Sequence, residues 1–200
     1  MSQGFLLSPQ EVDQARRLSM LGTFERELHA LLAALPRLDK IIRATLASLP
    51  KVLSLPMVLV HKDFGDSNIM VQHGSSHLVG VIDWAEAEVA PFGTNLHSLQ
   101  SLTSKLHLKH GWIRYEDYDD LNLSFWETFD GEVGGLSHET IKAIRTARVL
   151  GLLRSHGFTS RLPNRAEPSP IKDDDTGRYN MMILEGLLLN QATQLDGLDE

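Results

Sequence analysis

Residues 61–68 read HKDFGDSN, and residues 81–84 read VIDW. The first stretch has the spacing H-x-D-x-x-x-x-N, and the aspartate of the second follows the asparagine by fifteen residues. Short apolar runs at 57–60, 69–71 and 78–82 flank these polar positions, and a Gly-Ser turn separates the last two. We therefore predict a strand, a polar loop and a hairpin that brings Asn68 and Asp83 side by side.

Phosphoryl transfer from ATP would explain why these residue types occur together. The reaction depends on positioning and charge neutralisation more than on covalent chemistry. Asp63, in the loop, can orient a hydroxyl group and accept its proton, while Asn68 and Asp83 offer the hard oxygen atoms that Mg²⁺ prefers. His61 ends the preceding strand, where we expect it to brace the loop by hydrogen bonding. Glu86 and Glu88 follow closely, and either a place in the site or a surface position suits them.

The same segment resembles the small-molecule branch of the protein-kinase-like fold, which includes aminoglycoside phosphotransferases and choline kinases. That branch has a His-Gly-Asp-x-x-x-x-Asn loop, and its metal-binding aspartate lies in Ile-Asp-Trp or Ile-Asp-Phe. Residues 82–93 look like those of a filamentous-fungal group. The resemblance implies that His61 and Asp63 are catalytic, with Asp63 as the base. It also implies that Asn68 and Asp83 bind Mg²⁺ and, with it, ATP.

The flanking segments are predicted to be largely helical. Ser8 begins a capping box for a helix that Gly22 stops, a further helix ends at Pro50, and helices return after Pro91. Ser137 is predicted to cap a long helix, and a final helix covers about residues 179–193. The fold class is mostly α with a small β-hairpin, an α+β domain resembling the C-terminal lobe of a kinase. We expect one domain over residues 1–200, with the site in 57–96 and a mobile loop at about 159–177.

A glycine-rich loop and a strand lysine, which would grip the nucleotide, have no counterpart before His61. We therefore expect an N-terminal nucleotide lobe to be absent, and MgATP to bind weakly to this chain alone. Two hypotheses follow: an ATP-dependent kinase acting on a small-molecule hydroxyl, or a kinase-derived binding module or truncated fragment. The acceptor stays open among aminoglycosides, choline, homoserine, sugars and fungal metabolites.

Composition excludes several other classes of protein. The net charge of −7 argues against nucleic-acid binding, and the lack of cysteine excludes thiolate chemistry and suggests a cytoplasmic protein. The chain has no apolar run long enough to span a membrane, so a membrane partner is not expected. His107 and His110 could share a helix face, but they lack the further ligands that a metal site needs. Trp112 is interpreted as a core residue, and residues 173–175 as a solvated acidic loop.

Overall fold

The computed structural model describes residues 12–159 and 168–198. Within these ranges the longer helices are α1 (Gln14–Ala34), α2 (Asp39–Ser54), α4 (Tyr118–Glu132), α5 (His138–His156) and α6 (Arg178–Leu188), and α3 (Gln100–Thr103) is a single turn. The strands are β1 (Met57–Val60), β2 (Ile69–Val71), β3 (Leu78–Val81), β4 (Glu88–Pro91), β5 (Ser104–His107) and β6 (Gly111–Arg114). Small antiparallel strand pairs among helices make this an α+β fold, as predicted.

Helices α1, α2, α5 and α6 enclose the core, with α2 packed between α1 and α5. Its largest fully buried side chains are Leu28, Leu31, Leu35, Leu38, Ile42, Leu49, Met57, Ile144, Leu150, Leu152, Leu153 and Leu184. At about 25 cal/mol per Å² of apolar area removed from water, burial of these aliphatic side chains dominates the stability of the domain. None of the helices in the two described ranges is long and apolar enough to cross a membrane.

Two of the predicted helix ends are wrong. Helix α1 runs through Gly22 without a break, since buried Phe24 and Leu28 carry its apolar face past this position. Helix α2 likewise continues beyond Pro50 to Ser54, because Val52 is buried in the core. Tertiary packing outweighs the local cost of glycine and proline in both cases. The predicted capping box at Ser8 lies outside the described residues. Within them, Asp13 caps α1 by accepting a hydrogen bond from the Arg16 amide.

The C-terminal helices follow the predicted caps more closely. Ser137 caps α5 by accepting a hydrogen bond from the Thr140 amide, and Gly157 ends the helix. Helix α6 begins at Arg178 but ends at Leu188, five residues before the predicted end. Part of the loop predicted at 159–177 lies outside the described residues.

The strands form three antiparallel pairs, where one hairpin was expected. The predicted hairpin is confirmed as β2–β3, with Ile69 opposite Val81. Strand β1 pairs with β4, and β5 with β6. The prediction that helices return after Pro91 is therefore wrong for residues 104–114. In that segment Leu106 and Trp112, on the same face of the ladder, pack against the helical core, and Gly111 turns the chain at φ +73°.

Candidate active site

His61 ties the loop to the hairpin. Its ring is buried at the end of β1, and Nε2 donates to the carbonyl oxygen of Ile82 at 2.8 Å. The ring also meets the indole of Trp84 edge to face, with centroids 4.9 Å apart. Ile82 directly precedes Asp83, and His61 lies two residues before Asp63. This bond therefore holds the backbone next to Asp83 close to the end of β1, where the loop with Asp63 begins.

Asn68 closes the loop that holds Asp63. The side chain of Asn68 is buried, and Nδ2 donates to the carbonyl oxygen of Asp63 at 2.7 Å and to its carboxylate at 3.4 Å. The first of these bonds fixes the amide with its nitrogen toward the loop. Asn68 Oδ1 makes no hydrogen bond to residues 12–159 or 168–198. This oxygen is therefore available to a ligand.

Asp83 lies beside Asn68 in an uncommon backbone conformation. The ladder of β2–β3 is extended by a bond from the Ile82 amide to the Asn68 carbonyl, at 3.0 Å, and Asp83 comes next. Its φ is +60°, in the left-handed region, which few residues other than glycine adopt. The Asp83 carboxylate is exposed and forms no ion pair or hydrogen bond within the described ranges.

Asp63 and Asp83 line one cavity of about 600 Å³, which we call the carboxylate cavity because Glu86 and Glu88 line it too. Two cationic side chains, Lys62 and Arg154, also line it. Lys62 Nζ lies 3.8 Å from a Glu88 carboxylate oxygen, and Arg154 of α5 lies 3.5 Å from the other oxygen. Glu88 is thus paired with two cations, whereas Asp63, Asp83 and Glu86 have no cation partner in the described ranges.

Arg154 is a site residue that the sequence analysis did not find. It donates from Nε to Glu27 of α1 at 2.6 Å, and its guanidinium lies over the ring of Phe24. These contacts connect the wall of the carboxylate cavity to the helical core. The available signal was an arginine directly after the apolar run 149–153 of α5, but its partner Glu27 is 127 residues away in sequence.

The model of the phosphotransferase enzyme family matches residues 6–107, just over half of the chain. The chain belongs to the phosphotransferase enzyme family. The matched segment contains Asp63, Asn68 and Asp83 and ends within hairpin β5–β6. Neither the curated proteins nor the solved structures include a match to this chain.

A second cavity in this family member, of about 450 Å³, also touches Asp63. We call it the aromatic cavity, since its lining includes Phe64, Trp112, Tyr115 and Tyr179. Trp112, interpreted from sequence as a core residue, packs against the core and lines this cavity as well. Asp63 therefore stands between two cavities of different chemistry.

His97, which is buried, and His156, which is partly buried, both line the aromatic cavity. Their rings meet edge to face with centroids 6.1 Å apart, and His97 Nδ1 donates to the carbonyl of Thr94 at 3.1 Å. Burial, with a further contribution from His156, lowers the pKa of His97 to about 3. Burial lowers the pKa of His156 as well, against the opposing effect of its hydrogen bond with Asn180. Both rings are thus neutral near pH 7.

The other candidate clusters do not form sites. His107 and His110 stack at 4.6 Å in the turn of β5–β6, on no shared helix face. In the described part of the chain, no group of three or more histidine or acidic side chains could hold a metal ion. Asp173 lies 3.7 Å from Arg37, and Asp174 accepts from Thr176 in a surface turn. Trp126 and Phe129 pack in an aromatic cluster against the core.

Proposed function

We propose that this chain is a small-molecule kinase domain that transfers the γ-phosphoryl group of ATP to a hydroxyl group. Asp63 acts as the base, His61 positions its loop, and Asn68 and Asp83 bind Mg²⁺. The observation that carries the proposal is the place of Asp63 at the boundary of two cavities. A group that lines both cavities can contact two substrates, one in each. Membership of the phosphotransferase enzyme family supports the same reaction class.

In the proposed reaction the acceptor lies in the aromatic cavity, with its hydroxyl beside Asp63. The Asp63 carboxylate accepts the hydroxyl proton as the acceptor oxygen bonds to the γ-phosphorus. The bond from the γ-phosphorus to the bridging oxygen breaks, and ADP leaves with that electron pair. Since Asp63 is exposed and has no cation partner in the described ranges, its carboxylate is available to accept the proton.

The donor set suits magnesium. Asp83 provides a carboxylate without a partner in the described residues, and the orientation of the Asn68 amide leaves Oδ1 for a cation. Mg²⁺ takes oxygen ligands and in kinases is held by few side chains together with the phosphates. When bound, the ion neutralises charge on the phosphate oxygens. The left-handed backbone of Asp83 belongs to this arrangement, as strained residues cluster at functional sites.

The alternative, a kinase-derived binding module, draws on the exposed hairpin β2–β3. Met70, Val71, Leu78 and Val79 are all exposed, and successive residues of a strand point to opposite faces, so both faces of the hairpin carry exposed apolar side chains. We propose that a nucleotide-binding lobe of the kind found in kinases packs on this hairpin, wherever that lobe is encoded. In that case the chain binds MgATP weakly on its own, and the apolar hairpin serves catalysis and not a separate binding role.

The test is titration of MgATP and of Mg²⁺ alone into the purified chain by calorimetry, together with ADP release in the presence of alcohols. Asparagine tolerates positive φ, so we expect Asp83→Asn to fold normally. The variant should bind Mg²⁺ at least tenfold more weakly and therefore need a higher Mg²⁺ concentration for phosphotransfer. Asp175→Asn, in the surface turn, is the matched control. Phosphotransfer by Asp83→Asn with an unchanged magnesium requirement contradicts the assignment of the metal site. Complete absence of phosphotransfer in a form that carries a nucleotide lobe favours the binding module.

A further inference from the structure

Two of the described residues, Asp63 and His97, line both the carboxylate cavity and the aromatic cavity. His97 lies in a 3₁₀ turn at Leu96–Leu99, just before α3, and is only 6% exposed. The proposed function makes Asp63 the base but gives His97 no role, although His97 lies at the boundary where the two substrates would meet. Buried polar groups normally have hydrogen-bond partners, so the partners of this ring indicate what it can do there.

One ring nitrogen of His97 is engaged by the backbone. Nδ1 lies 3.1 Å from the carbonyl oxygen of Thr94, and since a carbonyl only accepts, Nδ1 is the nitrogen that carries the proton. This carbonyl packs closely on Gly151 of α5, where an added Cβ would lie 1.5 Å from the oxygen. Burial, with a further contribution from His156, lowers the pKa of His97 to about 3, so the ring is neutral near pH 7. Nε2 is therefore left as an acceptor.

That acceptor has no donor within the protein. Nε2 of His97 makes no hydrogen bond to residues 12–159 or 168–198. The ring of His156 meets His97 edge to face, and its own hydrogen bond is with Asn180. Nε2 is also not among the fully enclosed atoms without a partner in these ranges, so it keeps accessible surface. Because His97 lines the two cavities, Nε2 is accessible to a ligand there.

The boundary between the cavities therefore presents two acceptors, the Asp63 carboxylate and His97 Nε2. The cationic side chains of the carboxylate cavity do not supply the missing donor, since Lys62 and Arg154 are paired with Glu88. A hydroxyl group has one proton, and in the proposed reaction this proton goes to Asp63. A second donor on the same molecule would complete the hydrogen bonding of His97 and recover the free energy that an unpaired buried acceptor costs.

We propose that His97 is a specificity-determining residue, which selects acceptors that carry a second hydrogen-bond donor close to the reacting hydroxyl group. A 1,2-diol and a 1,2-amino alcohol share this chemistry. The reacting hydroxyl contacts Asp63, and the second O–H or N–H donates to His97 Nε2. An acceptor whose second oxygen is alkylated is disfavoured, because an ether oxygen would meet Nε2 lone pair to lone pair. This inference rests on the proposed function, which makes the hydroxyl at Asp63 the reacting group.

Three matched probes test this selection: 1-phenyl-1,2-ethanediol, 2-amino-2-phenylethanol and 2-methoxy-2-phenylethanol. They share a phenyl group and a primary hydroxyl group, and the neighbouring carbon carries a hydroxyl, an amino or a methoxy group. Calorimetry on the full chain without ATP should show that the diol binds about two- to tenfold more tightly than the ether, as expected for one neutral hydrogen bond. The amino alcohol should also bind more tightly than the ether. Since carboxylates attract its ammonium group as well, only the part of its gain that depends on His97 counts.

Two variants of His97 separate its acceptor atom from its packing. His97→Phe keeps a ring but removes Nε2, so the diol should lose its advantage over the ether. His97→Gln provides an amide oxygen in place of Nε2 and should retain part of that advantage. His73→Phe, in the exposed turn of β2–β3, is the matched control and should discriminate as the parent chain does. The affinity ratio of two probes is measured within each variant, so a general loss of stability does not imitate the effect.

Nuclear magnetic resonance of nitrogen-15 histidine in the parent chain provides a test that needs no folded variant. His97 should be protonated at Nδ1, and the diol should shift its Nε2 resonance to lower frequency, as expected for a nitrogen that accepts a hydrogen bond. The ether should leave this resonance in place. Protonation at Nε2, or a resonance that the diol does not move at millimolar concentration, overturns the proposal. So does equal binding of the diol and the ether, or an advantage of the diol that survives His97→Phe.

The same probes separate this inference from the proposed function. Binding of the diol that depends on His97, without phosphotransfer when MgATP and a nucleotide lobe are supplied, supports the role of His97 and contradicts the kinase reaction. Phosphotransfer to the ether as efficient as that to the diol supports the kinase reaction and contradicts the role of His97.

Discussion

Hairpins β2–β3 and β5–β6 are alike in size and topology but differ in what surrounds them. Hairpin β2–β3 exposes its apolar side chains, with Leu78 at 66%, and has site residues Asn68 and Asp83 at its base. Hairpin β5–β6 turns inward, where Trp112 packs against Gly186 of α6. The difference suggests a division of roles. In the proposed function the first hairpin contributes mainly to chemistry, whereas the second contributes to stability and to the shape of the aromatic cavity.

The largest expected effect tests the chemical role on the β2–β3 side. Asp63→Asn should lower phosphotransfer by about 10²–10⁴-fold, because it removes the proposed general base. The melting temperature of the variant should stay close to that of the parent chain, since the exposed carboxylate makes few packing contacts. Steady-state kinetics and thermal melts measure the two quantities. Asp120→Asn on α4 serves as the control, and full turnover by Asp63→Asn would remove the role assigned to this residue.

The structural role of β5–β6 is tested by a methyl group at its contact with α6. A Cβ at position 186 would lie 2.4 Å from Trp112 Cδ1, so Gly186→Ala should destabilise the fold by about 1–3 kcal/mol. Gly22→Ala, with nothing within 4 Å of the added Cβ, should stabilise α1 by up to about 1 kcal/mol. Urea denaturation compares the pair. Equal stability of both variants would contradict the structural role assigned to hairpin β5–β6.

Acid should lower the stability of the fold, because His97 is buried beside His156 in the wall of the aromatic cavity. The pKa of His97 is about 3 in the folded chain, against an ordinary value of 6.5, so the unfolded chain binds more protons between these values. This contribution to stability is therefore complete above the ordinary pKa and is lost as the pH falls toward the folded value. From about pH 7 to about pH 5, stability should fall by about 2 kcal/mol.

Denaturation at a series of pH values measures this slope. His97→Asn should flatten it, whereas His73→Asn, in the exposed turn of β2–β3, should not. A slope that His97→Asn leaves intact would assign the acid sensitivity to other groups.

The smallest effect compares equivalent substitutions on the two hairpins. Leu78→Thr, on the exposed face of β2–β3, should change stability by no more than about 0.5 kcal/mol, as is usual at the surface. Leu106→Thr should cost about 1–2 kcal/mol, because Leu106 packs against the helical core. Chemical denaturation distinguishes the two. A larger loss for Leu78→Thr would mean that the exposed face is already packed against something in solution.

Local signals predicted the elements that depend on local interactions. The cap at Ser137 and the strands of β2–β3 follow from neighbouring residues, and the hairpin then brings Asn68 and Asp83 together. Hairpin β5–β6 was missed because its stability comes from burial of Leu106 and Trp112 against distant helices. The predicted helix ends at Gly22 and Pro50 were wrong for the same reason, since packing against the core keeps α1 and α2 helical beyond these residues.

The candidate site divides in the same way. The motif residues Asp63, Asn68 and Asp83 lie within 21 residues of sequence, and their spacing was readable. Arg154 and the aromatic cavity bring together residues from remote parts of the chain, such as Asp63, Trp112 and His156. The periodicity of one sequence does not show which remote residues meet in the fold. Neither the place of Arg154 in the site nor the aromatic cavity could therefore be predicted.

The left-handed backbone of Asp83 restricts how this chain can change during evolution. At φ +60°, Asn and Gly are the replacements that the backbone accepts without strain, and β-branched residues are penalised. Both replacements are also single-nucleotide neighbours of aspartate codons. If Asp83 binds Mg²⁺ as proposed, a lineage that lost phosphotransfer while keeping its fold would therefore be expected to carry Asn or Gly at this position. Position 83 is thus a marker by which inactive descendants could be recognised from sequence.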